Sequence, residues 1–196
     1  MKKNILFITG TRADFGKQKS LMKAINDHPG YNLNIFCTGM HLMSKYGYTV
    51  TEIQKAGFSD NLFHYLNQIE GESMDIILSN TISGISRYLF ENNIDLIIVH
   101  GDRIEAMAGA IVGALRNILV AHIEGGEVSG TIDDLIRHST SKLVHLHYVA
   151  SNTAEKRLLQ LGENKNSIFN IGCAQFNCVY LCLCPLYCFC FNFKKG

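Results

Sequence analysis

The chain has 196 residues, enough for one domain of ordinary size with a real core. Hydrophobic residues make up 47% and charged residues 18%, which excludes a disordered polypeptide. A net charge of +1 gives no field for nucleic acid or an anionic membrane surface, and no basic run interleaved with aromatics marks a nucleic-acid face.

The apolar run after Met1-Lys2-Lys3 is too short for a signal-peptide core. Asn4 to Thr9 reads instead as a first strand, buried on both faces and ending in Gly10. Gly16 to Asp27 follows as a helix, stopped by Pro29-Gly30. Leu33 to Cys37 is a second strand that runs into Thr38-Gly39-Met40-His41. A helix from Val50 to Ala56 stops at Gly57, and Asn61 to Leu66 is read as a third strand. Met74 to Phe90 carries apolar residues at helical spacing. Asp95 to Val99 is the clearest strand and ends in His100-Gly101-Asp102-Arg103. Ile104 to Leu115, rich in Ala and Gly, is a helix able to pack close to a sheet. Ile118 to Ile123 is a strand ending in Glu124-Gly125-Gly126-Glu127. A helix from Asp133 to Val144, a strand from His147 to Ala150, a helix from Thr153 to Leu161 and a strand from Ile168 to Ile171 complete the series. Strands alternating with helices predict an α/β fold with a doubly wound parallel sheet. Such sheets bind ligands beyond the carboxyl ends of their strands. Gly10 to Gly16, Gly39 to His41, Gly101 to Arg103 and Glu124 to Glu127 all fall on that edge.

Individually these loops are ambiguous. Gly10 to Lys17 has five residues between its glycines and Gln18 after the lysine, so it fails as a Walker loop. Arg12 and Lys17 near a helix N-terminus could still clamp a diphosphate, or be two solvated cations. Asp102 could pair with Arg103 or cap the next helix. Glu124 is harder to explain structurally, because it ends an apolar strand and precedes two glycines. Asp133 and Asp134 could be first-turn helix acids, paired at i,i+4 with Arg137 and His138. His100, His122, His145 and His147 show no zinc-type spacing, so no metal and no cofactor is expected.

In combination the loops are specific. Thr9 to Asp14, Thr38 to His41, His100 to Arg103, His122 to Glu127 and Ile132 to His138 resemble, in unbroken order, the hydrolysing UDP-N-acetylglucosamine 2-epimerases of the bacterial sialic-acid and capsule branch. The likeness runs from Met1 to about Gly172. It implies a Rossmann-like domain over residues 1–172, the N-terminal half of a two-domain GT-B fold. It implies conversion of UDP-N-acetylglucosamine and water to N-acetylmannosamine and UDP through a glycal. It matches Asp102, Glu124 and Asp133 to the catalytic acids, Arg12 and Lys17 to a basic loop, and Arg103 to a substrate-binding position. It further implies a homo-oligomer, and a second half supplying a catalytic histidine and most uridine contacts. Three clustered carboxylates would be expected to push one pKa upward, which suits removal of a weakly acidic C2 proton. Two other readings stand beside this one: a non-catalytic module that binds a nucleotide sugar or pairs with a full-length homologue, and a GT-B glycosyltransferase fragment.

Cysteine usage splits the chain. Cys37 is the one cysteine of residues 1–172, which fits a reducing cytosol, while six lie between Cys173 and Cys190. Ile171 to Phe193 contains no charged residue, an abrupt change of composition. Residues 173–196 are therefore expected to be an aberrant tail rather than a domain, as from a frameshift or premature end. A membrane anchor is opposed by Pro185, Asn192 and the short span, and a zinc tail by the cysteine spacing. The 196 residues are thus expected to act as half an enzyme, weak or inactive alone.

Overall fold

The structure is a computed structural model that describes residues 2–172. The readings made of the cysteine-rich tail lie outside those residues. Seven parallel strands form one sheet in the order β3-β2-β1-β4-β5-β6-β7. They are β1 (Lys3–Thr9), β2 (Tyr31–Cys37), β3 (Leu62–His64), β4 (Leu96–His100), β5 (Leu119–Ile123), β6 (Leu146–Val149) and β7 (Ile168–Asn170). The helices between them are α1 (Arg12–Asp27), α2 (Val50–Ile53), α3 (Met74–Glu91), α4 (Ile104–Leu115), α5 (Ile132–Lys142) and α6 (Asn152–Gln160). The doubly wound parallel sheet expected from the alternation is the fold observed. Strand order reverses between β1 and β4, which opens a crevice at their carboxyl ends.

The runs in β1 and β4 are apolar on both sides because the sheet is covered on both sides. Ile5 and Phe7 of β1 and Ile98 of β4 pack with Leu21, Met22 and Ile25 of α1. Leu6, Ile8, Ile97 and Val99 point the other way, onto Ile85 and Leu89 of α3 and the alanines of α4. Truncating one of these buried side chains to Ala costs about 2–5 kcal/mol. Helix α4 lies close to the sheet, as its small residues require. A Cβ on Gly109 would come within 2.4 Å of Ile8, and one on Gly113 within 2.3 Å of Val120.

The third strand is shorter than the sequence reading of Asn61 to Leu66, and two helices differ from theirs. Helix α1 begins at Arg12 instead of Gly16, because Thr11 and Asp14 close a capping box at its start. Helix α2 ends at Ile53; residues Gln54–Phe58 form a wide turn around Gly57, whose φ of 91° breaks the helix. Neither change moves a strand, so the carboxyl edge stays intact. Register keeps that edge level: Thr9 lies opposite Cys37, and His100 opposite Ile123.

Candidate active site

Two strand-to-helix turns meet at the crevice. After β4 the chain turns at Gly101, with φ 73°, and presents Asp102. After β5 it turns at Glu124, a non-glycine residue held at φ 60°. Arg137 on α5 ties the two turns together. Its guanidinium hydrogen-bonds the Asp102 carboxylate, and its Nη1 donates to the Glu124 carbonyl at 2.7 Å. Arg137 is buried, so this contact is made in a low dielectric where an ion pair is hard to break.

The Glu124 side chain has its own partners. Lys17 of α1 reaches it at 2.6 Å, and His100 Nε2 stands 3.3 Å from the same carboxylate oxygen. Burial pushes the Glu124 pKa up, but His100 and then Lys17 outweigh it and hold the carboxyl down at about 2. The upward shift expected among the three predicted acids is therefore not seen at Glu124. In sequence that residue has no lysine nearby; in space one comes from 107 positions away.

Beneath Gly101 lies His122, fully buried. Burial, with smaller contributions from His147, His100 and Arg137, lowers its pKa to about 3, so the imidazole is neutral. A carbonyl can only accept, so Nε2–H donates to Gly101 O at 2.7 Å. Nδ1 then accepts from the Ser141 hydroxyl at 3.1 Å. The neutral ring fixes the backbone from which Asp102 projects.

Lys17, His100, Asp102, Arg103, Glu124 and Arg137 line a cavity of about 170 Å³. Asp102 and Arg103 also border a larger one of about 370 Å³, whose walls include Glu105, Asp133 and the apolar Met40, Met43 and Ile136. Asp102 thus sits where both spaces meet, with Glu124 on one side and Asp133 on the other. Asp133 occupies the first turn of α5 and accepts from the Thr131 hydroxyl at 2.9 Å. Its neighbour Asp134 turns away and accepts from the Ser129 and Gly130 amides at 2.7 and 2.8 Å. Arg137 bonds Asp102 rather than forming the i,i+4 pair with Asp133 that spacing suggests. Asp102 is not a helix cap, since Arg103 holds that position on α4.

The β1–α1 turn is built differently. Asp14 accepts from the amides of Gly10 and Thr11 at 3.0 and 2.9 Å, and from the Thr9 hydroxyl. Thr9 Oγ1 in turn lies 3.0 Å from His41 Nε2. These amide donors are therefore satisfied within the turn and do not form an open anion nest. Arg12 is 73% exposed and pairs with Glu52 at 3.0 Å, outside both cavities. Of the two basic residues read from this loop, the structure brings Lys17 to the predicted acids and leaves Arg12 apart. Cys37 is sealed in the core, and burial followed by the charge of Asp14 pushes its thiol up to about 12, so it is no nucleophile.

Arg137, His122 and Asp14 lie within the sequence motifs but the sequence reading assigns them no site role, and Glu105 lies outside them. The Thr11-x-x-Asp14 spacing was the one signal that local reasoning could have used. Among the described residues no group of three or more His, Cys, Asp or Glu could hold a metal ion, and no helix is long and apolar enough to cross a membrane.

Comparison with known proteins decides the family. Residues 23–183 match the family model for UDP-N-acetylglucosamine 2-epimerase. The chain belongs to the UDP-N-acetylglucosamine 2-epimerase family. A UDP-N-acetylglucosamine 2-epimerase of Neisseria meningitidis serogroup B is 52% identical over 170 residues, covering 87% of this chain and 45% of the relative. The polysialic acid biosynthesis protein P7 of Escherichia coli is 34% identical over 173 residues, covering 87% and 44%. A crystal structure of a UDP-N-acetylglucosamine 2-epimerase superposes with a TM-score of 0.80 at 21% identity, covering 89% of this chain and 49% of that one, which speaks for the fold. This epimerase-family chain spans about half the length of the relatives it matches, corresponding to their N-terminal half.

Proposed function

We propose that the chain carries the acid–base half of a hydrolysing UDP-N-acetylglucosamine 2-epimerase, which converts UDP-N-acetylglucosamine and water to N-acetylmannosamine and UDP for sialic-acid or related surface-sugar synthesis. One observation carries the reading. Asp102 and Glu124, from different crossover units, border one cavity and are joined by a single buried guanidinium.

The chemistry asks for such an arrangement. A base takes the C2 proton, and the C2 electron pair forms the C1–C2 double bond of a glycal as UDP leaves with its C1–O bond electrons. Water then adds across that bond, with hydroxyl to C1 and a proton to the opposite face of C2. One carboxyl group must accept a proton and another must deliver one. Asp102 and Glu124 take these two roles, with Asp133 bordering the larger space that receives the sugar. Lys17 and Arg103 meet the departing diphosphate. With a pKa near 2, Glu124 is a poor base while Lys17 holds it. A bound diphosphate draws Lys17 away and leaves His100 as the remaining restraint, so the Glu124 pKa rises part of the way toward the range a base needs. Substrate binding thus makes Glu124 a better base. Arg12 lies outside the cavities and acts on substrate only if α1 and the Glu52 pair rearrange.

The 196 residues alone are expected to turn over little substrate, because closure over the sugar draws on the other half of the relatives' length. Homo-oligomeric assembly and a cytoplasmic setting belong to the same proposal. The test is UDP release and N-acetylmannosamine formation by a version extended to the length of its relatives. Unchanged turnover in both Asp102→Asn and Glu124→Gln would sink the assignment. Robust UDP release by the 196-residue chain would overturn the expectation of a dependent half. Transfer of the N-acetylglucosamine unit to an added hydroxyl acceptor, with UDP released and no N-acetylmannosamine formed, would favour the glycosyltransferase reading.

A further inference from the structure

Glu105 has no part in the chemistry above, yet its placement is unusual. It lies in the first turn of α4, where an acid at a helix N-terminus is ordinary and would normally face water. Here the residue is 2% exposed. Its carboxyl group fills the gap between the ends of β1 and β2. A Cβ on Gly10 would lie 2.6 Å from Glu105 Cδ, and one on Gly39 would lie 2.5 Å from Oε1. Glycine is therefore required at both turns, because the carboxyl group occupies the space a side chain would take. Gly39 also has φ 62°, which favours glycine independently.

The other oxygen, Oε2, lies 3.5 Å from Arg103 Nε. Both atoms are buried, and neither makes a hydrogen bond among the described residues, the 3.5 Å approach to each other included. An orphaned buried donor facing an orphaned buried acceptor is costly unless the two serve each other. Arg103 is otherwise 38% exposed at its side chain, borders both cavities, and has no other ion pair among the described residues. It needs an anchor if its guanidinium is to hold one orientation.

We propose that Glu105 is the positioning residue for Arg103: wedged between Gly10 and Gly39, its carboxyl group receives Arg103 Nε–H and so aims the outer face of the guanidinium at the diphosphate of a nucleotide sugar. This rests on the reading of Arg103 as a substrate-binding residue. An arginine fixed through Nε keeps its Nη pair free for two parallel bonds to phosphate oxygens, whereas an unfixed one must first lose its side-chain freedom. Burial raises the Glu105 pKa above its ordinary value, and the Arg103 charge opposes that shift without cancelling it. The acceptor oxygen matters more than the formal charge, and a carboxamide of the same size should replace it.

Two substitutions separate positioning from packing. Glu105→Gln keeps size and acceptor; Glu105→Leu keeps approximate size and removes the acceptor. Two readouts are taken on the 196-residue chain. The first needs no ligand: the Arg103 Nε–H resonance, assigned by its loss in Arg103→Lys, is followed by nitrogen-resolved NMR. It should be protected from solvent exchange in the parent and in Glu105→Gln, and averaged into the exposed arginines in Glu105→Leu. The second is calorimetric binding of inorganic pyrophosphate and of UDP-N-acetylglucosamine. Glu105→Leu should weaken both about tenfold, and Glu105→Gln less than threefold. In a version extended to the relatives' length, the loss should fall on KM more than on kcat. An Arg103 resonance that is equally protected in Glu105→Leu, or never protected, overturns the positioning role whatever the ligand does. A protected, Glu105-dependent resonance with binding unchanged in Arg103→Lys and Arg103→Met overturns instead the substrate-binding reading of Arg103.

Discussion

The turns after β1 and β5 lie at the same edge of the sheet, contain glycine and lead into a helix, yet they are held by opposite means. The first is closed by its own neighbours: Asp14 satisfies Gly10, Thr11 and Thr9 from within five residues. The second is held from afar, with Arg137 reaching back 13 residues to the Glu124 carbonyl and Lys17 crossing 107 to its carboxylate. A locally satisfied turn is a structural part. A turn whose carboxylate depends on a distant, partly exposed lysine can change state when a ligand competes for that lysine. The difference suggests which loop shapes the site and which one works.

The largest effect should come from the β5 turn and the β4 turn that Arg137 ties to it. In a version extended to the relatives' length, Asp102→Asn and Glu124→Gln should each lower kcat for UDP release by about 10²–10⁴-fold, the usual span for a lost general acid or base. The matching change in the first turn, Asp14→Asn, should leave substrate turnover within about tenfold, measured in the same assay. If the two turns respond alike, the distinction between them fails.

Next is the guanidinium that joins the β4 and β5 turns. Arg137→Met strands a mostly buried Asp102 carboxylate, and urea unfolding should show a loss of about 3 kcal/mol. The double variant Arg137→Met/Asp102→Asn should recover part of that loss, since the uncompensated charge is gone. No recovery would mean that Arg137 serves packing alone.

A third effect is pH-dependent. The Glu124 pKa falls from an ordinary value of 4.5 to about 2 on folding. A depressed carboxylate adds stability above its unfolded pKa and loses it as pH falls through the folded one. Its contribution, of the order of 3 kcal/mol at neutral pH, should disappear between about pH 4.5 and pH 2. Lys17→Gln should flatten part of that acid limb in a denaturation series run from pH 6 to pH 2, with the larger share left because His100 remains. The smallest effect belongs to the closed turn: Asp14→Asn weakens the capping box and should cost about 1–2 kcal/mol with no change in the Glu124 titration.

The sheet was legible because its signals are local. Leu96 to Val99 and Ile5 to Ile8 are unbroken apolar runs, which suit a strand covered on both faces. The family motifs were legible in the same way, as short strings at the ends of those strands. What sequence could not give is pairing at a distance. Arg137 has Asp133 at the favoured helical spacing, yet the fold places the Asp102 carboxylate against its guanidinium instead. Glu105 reads as one more first-turn acid until the close approach of Gly10 and Gly39 is seen. Arg12 and Lys17 look equivalent on one loop, but α1 begins at Arg12. One helical start then sends Arg12 outward to Glu52 and Lys17 across to Glu124. The Gly16 that suggested a longer turn sits inside the helix with nothing near its missing side chain.

The claim at the centre is that Lys17 restrains Glu124 and that a nucleotide sugar releases it. The most direct measurement is the carbon-13 titration of the Glu124 carboxyl group, with and without saturating UDP-N-acetylglucosamine, in a version extended to the relatives' length and shown to bind that sugar. The free protein should titrate near 2 and the liganded protein at least one unit higher, with Lys17→Gln already raised and insensitive to ligand. A Glu124 carboxyl that titrates identically with the sugar bound, or normally in its absence, would contradict the account.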